Sequence, residues 1–191
     1  MVIVGAWMRK LVSLALAVAA AGALSGCDQK PKTSPPPASA AYPQGWQYQA
    51  TTDEMSGKKI YSACIVSENA VALAAPYHPA KARLCLRDHP RTGGDLLISL
   101  LGPGQVMCGR DKPCEIRIRY DDGEPQTAKA VTPSDGSTNV VIIENDLDRH
   151  VMQAQMGQSA ATRIELEFYQ AGFQVLTFKT KGMDFTKTGA L

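Results

Sequence analysis

The chain has 191 residues, 20 Lys and Arg against 18 Asp and Glu, a formal net charge of +2 and 45% hydrophobic residues. A nearly neutral chain with no block of like charge lacks the electrostatic footprint that draws in nucleic acid, so no nucleic-acid partner is expected. The length suits a single core and is short for two.

The first element is an apolar run, Leu11 to Leu24, "LVSLALAVAAAGAL", preceded by Arg9 and Lys10. A basic start followed by about 14 apolar residues has signal-peptide proportions, and falls short of the roughly 20 residues of a membrane-spanning helix. The run stops at Leu24-Ser25-Gly26-Cys27, which resembles the bacterial lipobox, in which the cysteine thiol receives a diacylglyceryl group and the signal is cut just before it. Residues 1–26 therefore read as a lipoprotein signal peptide and Cys27 as the lipidation site. Several acyl chains hold a protein stably on a bilayer where one does not. The expected location is the bacterial envelope, facing the periplasm, with the lipid anchor as membrane contact. Asp28 resembles the residue that keeps enterobacterial lipoproteins in the inner membrane. The opening "MVIVGAW" precedes the basic pair, and a start at Met8 gives a tidier leader. Translation is expected to begin there, and an intact Met1 terminus on the precursor would overturn that.

Loss of Arg9 and Lys10 with the signal lowers the 20 basic residues to 18, against 18 acidic ones. Residues 27–45 form a tether: Lys30 to Gly45 holds five prolines among Ser, Ala and Thr, a composition that buries little and stiffens toward polyproline II. At roughly 3 Å per residue such a stretch spans up to about 50 Å.

Residues 46–187 read as one β-rich domain. Turn residues and alternation place strands at Trp46–Thr51, Lys59–Val66, Ala70–Ala74, Ala82–Arg87 and in "DLLISLL" after Gly93-Gly94. In Glu115–Tyr120 the isoleucines and the tyrosine share one side while Glu115, Arg117 and Arg119 share the other, and Asp122-Gly123 is a hairpin-compatible pair. Val140–Glu144 is a further strand. One helix follows: Asn145 or Asp146 caps it, Leu147, Val151 and Ala154 share a face, and Gly157 ends it. Arg163–Tyr169, with Ile164, Leu166 and Phe168 inward, and Phe173–Thr180 complete the set. The expected class is mainly β, with some α: an antiparallel β-sandwich or curled sheet with one helix of the C-terminal half packed on it.

Beyond Cys27 the cysteines are Cys64, Cys85, Cys108 and Cys114. An even number in an exported chain implies disulfides, with three connectivities open. Cys108 and Cys114 bracket "GRDKP", so their pairing closes a turn locally, and Cys64–Cys85 would tie neighbouring strands on a polar face. A thiolate metal site lacks a CxxC pair and a histidine at ligand spacing, and no cofactor is implied.

Ser56-Gly57-Lys58-Lys59, Ser67-Glu68-Asn69 and Lys187-Thr188-Gly189 match the SxxK, SxN and KTG patterns of penicillin-binding proteins in order. The serine of those enzymes heads a buried helix, whereas Ser56 falls in a polar turn and Lys187-Thr188-Gly189 at the end of the chain. The spacing from Lys59 to Ser67 leaves no room for the intervening helices. His78, His89 and His150 belong to no HExxH, and no GxSxG elbow occurs. Arg117 and Arg119 with Arg163, Glu165 and Glu167 suggest either a recognition face or solvated cross-strand pairs, and the second is the simpler expectation.

"RLCLR", "EIRIRYDDG", "PSDGSTNVVII" and "RIELEFYQAGFQVLTFKTKGMDF" together resemble the VasI-type proteins associated with type VI secretion. The features carrying the likeness are Cys85 in a core strand, Arg119-Tyr120-Asp121 at a strand end, Ser134-Asp135-Gly136, and the closing Phe178-Lys179-Thr180-Lys181-Gly182-Met183. "WQYQATTDEMSGKK" also looks like the start of a group of small bacterial lipoproteins of unassigned function. The resemblance implies a periplasmic accessory domain and supplies no catalytic residue. The functional expectation is a non-enzymatic, membrane-anchored module that binds an envelope protein. One alternative is an inhibitor or immunity protein acting on a periplasmic hydrolase through Cys108–Cys114 or "PYHPAKARL". The other is a hydrolase using His78 or His89.

Overall fold

The computed structural model describes residues 42–144 and 149–189, with the side chains of Arg149 and His150 left aside. Cys27, the tether to Ala41, the capping residues Asn145 and Asp146, and Leu147 lie outside the described residues.

Nine strands form one sheet: β1 Gln47–Thr52, β2 Lys59–Val66, β3 Ala82–His89, β4 Gly93–Leu100, β5 Cys114–Tyr120, β6 Gln126–Val131, β7 Val140–Glu144, β8 Thr162–Phe168 and β9 Gly172–Phe178. Their order is β1-β2-β3-β4-β7-β6-β5-β8-β9, and every pairing is antiparallel. Helix α1, Arg149–Gln158, lies between β7 and β8, and a closing 3-10 turn covers Phe185–Thr188. The mainly-β expectation holds, and a single curled sheet replaces the sandwich alternative.

Period-2 alternation decides which face is buried. Ala63 and Ile65, Leu84 and Leu86, Leu96 and Ile98, Ile116 and Ile118, Val141 and Ile143, Ile164 and Leu166, and Leu176 and Phe178 are all buried on one side, and all but Ala63 belong to a single cluster. A wide sheet with one apolar face buries it by curling, and here the two ends of the sheet meet. Trp46 Nε1 donates to Thr180 O at 2.9 Å. Just beyond β2, Glu68 N–H donates to Thr177 O at 2.8 Å. The Asn69 carboxamide then occupies the position of a neighbouring peptide group: its Nδ2 donates to Val175 O at 2.7 Å and its Oδ1 accepts from Thr177 N–H at 2.8 Å. Gln174 does the same in return, bonding both Ala72 N–H and Ala72 O through its side-chain amide. Segment 68–72 thus covers the outer edge of β9.

Three expectations are corrected. Ala70–Ala74 is not a strand. Val71 makes one isolated bridge to Ala80, because Glu68, Asn69 and Ala72 are committed to β9 instead. Strand β6 was not foreseen: "QTAKAV" carries few β-branched residues and is held by pairing to β5 and β7. The helix presents a different face. Val151 and Ala154 are exposed, while Met152 and Met156, four residues apart, enter the core. Unbranched methionine fits the irregular space inside a curled sheet. Nor does the helix end at Gly157. It runs to Gln158, and a Cβ at Gly157 would come within 3.1 Å of Met183 O, while Gly157 O accepts from Gly182 N–H at 2.9 Å. Glycine there permits this close approach. Among the described residues no helix is long and apolar enough to cross a membrane.

Candidate functional site

The chain leaving β4 must pass β7 and β6 to reach β5, and that crossing builds the site. Along it, Leu100 N–H and Val106 N–H bond Asn139 O and Thr138 O, fixing the segment against the entry to β7. Gln105 to Met107 then pair with the end of β8: Met107 N–H donates to Glu167 O at 2.8 Å, and Tyr169 N–H donates to Gln105 O at 3.0 Å. In the β5–β8 ladder the paired residues run from Tyr120↔Thr162 to Arg117↔Glu165. Beyond that point the end of β8 has the crossing segment as its partner, not the start of β5. The wedge opens a groove of about 940 Å3 between them.

The Cys108–Cys114 disulfide closes the rim of this groove, with Gly109 N–H donating to Lys112 O at 3.0 Å inside the loop. The other disulfide, Cys64–Cys85, joins directly opposed residues of β2 and β3 with Cα atoms 4.1 Å apart, the close spacing of a non-hydrogen-bonded antiparallel pair. It lies on the outer face, opposite the buried Ala63 and Leu84. Both pairings raised by the cysteine spacing are present.

Apolar groups line the groove unusually openly. Phe173 is 64% exposed and Met107 44%, and Val175 at 41% continues the stripe along β9. Across from them stands an ion pair: Arg117 Nε donates to Glu165 Oε1 at 2.8 Å and Nη2 to Oε2 at 2.5 Å, a two-bond fork. The hydrogen bond from Glu165, backed by its charge, holds the Arg117 guanidinium above its ordinary range. Glu115 and Glu167 stand nearby at the groove wall, with Lys112 on the loop. A second concavity of about 250 Å3 continues past Arg117 and Glu165 and is bounded by Arg119, Pro125, Arg163 and Val175.

The structure thus brings Arg117, Arg119, Arg163, Glu165 and Glu167, noted from charge alternation, onto one face beside the Cys108–Cys114 loop. It keeps the other sequence candidates apart. Ser56 donates to Asp53 Oδ2 at 2.6 Å in an exposed turn, holding that carboxyl below its ordinary range. Ser67 is buried, its hydroxyl spanning Asn69 O at 2.7 Å and Ala82 N–H at 3.0 Å. Thr188 donates to Phe185 O in the closing turn. These are local structural bonds, and the three motif fragments do not assemble. His78 is exposed and His89 Nδ1 accepts from Arg91 N–H at 3.2 Å, and neither lines the two concavities. Among the described residues no three His, Cys, Asp or Glu side chains cluster as metal ligands.

Sequence reasoning missed Phe173, Met107 and Val175. Phe173 and Val175 alternate with Gln174, Leu176 and Phe178, a signal that one strand carries apolar residues on both faces. Met107 gave no signal, because its exposure depends on the path of the crossing segment. Comparison with known proteins finds no matching family model, no matching curated protein and no matching solved structure. The fold and site define a class, a single-sheet β domain with two disulfides and an apolar groove on its outer face.

Proposed function

We propose that this chain is a lipid-anchored protein of the bacterial envelope whose domain is a non-catalytic binding module, and that the groove beside the Cys108–Cys114 loop holds its protein partner. The observation that carries the reading is the exposure of Phe173, Met107 and Val175 beside the charged Glu115, Arg117, Glu165 and Glu167. Exposed apolar groups ringed by polar ones favour association, and aromatic anchors in concave sites supply much of the binding energy. The Arg117–Glu165 pair that lines the same groove supplies directional polar contacts. An accessory role in secretion, as the sequence resemblance implies, is compatible with such a module.

A photo-reactive residue placed at Phe173 in the full-length chain, expressed in its native envelope, should give one discrete adduct that is missing when the same residue is placed at Met55. Met55 is the right control because it is 88% exposed and apolar yet outside both concavities. Equal labelling from both positions, or none from Phe173, would sink the reading. A second reading, an inhibitor of a periplasmic hydrolase, is favoured by the exposed Arg110–Pro113 segment inside the braced loop. In that case the captured partner is an enzyme and loses activity on addition of the chain.

A further inference from the structure

The far end of the same outer face carries an arrangement that sheet packing does not explain. In the β5–β8 register Arg119 stands directly opposite Arg163. Like charges at opposed positions of an antiparallel pair repel and weaken the ladder. The pair two residues along avoids this, since Arg117 faces Glu165 there.

Each guanidinium is held by one backbone carbonyl. Arg119 Nε donates to Gly123 O at 3.0 Å, and Arg163 Nη1 donates to Asp121 O at 2.6 Å. The carboxylate near both is Asp122, 3.8 and 3.9 Å away and 95% exposed, too distant for a hydrogen bond to either. Both guanidinium forks therefore line the 250 Å3 concavity with most of their N–H groups unclaimed among the described residues, and the Glu165 carboxylate that shares the concavity is taken up by Arg117.

We propose that Arg119 and Arg163 form a binding site for a phosphoryl group, carried either by a soluble ligand or by a lipid headgroup. The planar fork of a guanidinium matches a tetrahedral oxyanion edge-on, and two forks at opposed register positions stand close enough to share one group. A bound phosphoryl group, dianionic as a monoester or free phosphate and monoanionic as a lipid diester, offsets the repulsion between the two side chains. Pro125, just before β6, and Val175, on β9, flank the arginine pair on opposite sides and provide apolar contact for whatever the phosphoryl group is attached to. Charge recognition rests on Arg119 and Arg163, neither of which lines the Phe173 groove, although the two concavities share Arg117 and Glu165.

The test uses the full-length chain in detergent, titrated calorimetrically with inorganic phosphate against chloride of equal ionic strength. Saturable heat is expected, with affinity at least about tenfold weaker in Arg119→Gln/Arg163→Gln. It should be unchanged in Lys58→Gln, which removes an exposed charge elsewhere. The conservative Arg163→Lys, which keeps charge and loses the fork, should also weaken binding. In parallel, flotation with phosphatidylcholine vesicles is compared with and without phosphatidylglycerol. The unaltered chain and the double variant share residues 1–41, so any anchor contribution cancels between them. Phosphatidylglycerol-dependent flotation that the double variant loses assigns the site to a headgroup. Phosphate binding without that difference assigns it to a soluble ligand. No saturable phosphate binding and no headgroup-dependent flotation would overturn the proposal, as would equal weakening by Lys58→Gln or full affinity in Arg163→Lys.

Discussion

The two disulfides sit in contrasting kinds of place. Cys64–Cys85 crosses the middle of a ladder that six residue pairs already hold, between β2 and β3. Cys108–Cys114 joins the start of β5 to a crossing segment secured by a few backbone bonds at Val106, Met107 and Tyr169. Removing the first leaves a register that the alternating buried residues still specify. Removing the second frees the rim of the groove while the core remains. The stability a cross-link lends and its place beside the groove are therefore separate quantities in this molecule.

The contrast can be broken or sharpened by four measurements, taken from the largest effect to the smallest. Phe168 belongs to both regions: it is 1% exposed in the core, pairs with Gly172 across the β8–β9 hairpin, and bridges to Val106 on the crossing segment. Phe168→Ala should cost about 3–5 kcal/mol in urea unfolding. It should also abolish the Phe173 adduct, since the groove wall loses its anchor. Survival of that adduct would show that the wall does not depend on the core. The paired change Cys64→Ala/Cys85→Ala should cost about 3 kcal/mol, as expected for a cross-link of 21 residues' separation, with the adduct retained. For Cys108→Ala/Cys114→Ala, at a separation of 6, the cost is about 2 kcal/mol, with the adduct reduced. The distinction between the regions fails if both pairs affect the adduct alike.

The smallest effect concerns pH. Tyr120, at the end of β5, has a buried hydroxyl with no hydrogen-bond partner among the described residues, and burial pushes its pKa from 10.0 up to about 12. The folded protein keeps the phenol neutral where the unfolded chain would already ionise it. Its stabilising contribution is thus complete below about pH 10 and is lost as pH rises from there toward about 12. Because the ring is only partly buried, the loss should be of order 1 kcal/mol. Tyr120→Phe should flatten this alkaline limb in a stability profile, and an unchanged slope would assign the limb to other groups.

Much of the fold was legible because alternation reports burial directly. In Glu115–Tyr120 and Arg163–Tyr169 every second residue is apolar, and both segments are strands with those residues inward. The cysteines were legible because both partners of each pair lie in or beside recognisable strands. What stayed hidden was set by tertiary context. "QTAKAV" becomes β6 only through its neighbours, and "AVALA" is apolar enough for a strand yet lies where its polar flanks bind β9. The helix face differs from the expectation because Val151 and Ala154 on one side and Met152 and Met156 on another both offer a helical spacing, and the curled sheet favours the larger, more adaptable methionines. For the candidate site, the charged residues could be named but not assembled. Their meeting depends on where β8 changes partner from β5 to the crossing segment, and no local pattern encodes that.

Asn69 carries a consequence beyond the fold. β9 is the last strand of the sheet, and the free N–H and C=O groups of a terminal strand template pairing between molecules. The Asn69 side-chain amide, with the Glu68 N–H, substitutes for the missing strand and denies that template to another copy, while Gln174 on β9 holds Ala72 in return. This guard is chemical as well as steric, because it needs the amide nitrogen. Conversion of Asn69 to aspartate, by mutation or by spontaneous deamidation, would set a carboxylate against the Val175 carbonyl and release the edge. Asn69→Asp should therefore show concentration-dependent self-association by light scattering above that of the unaltered chain, making this one residue a safeguard against aggregation.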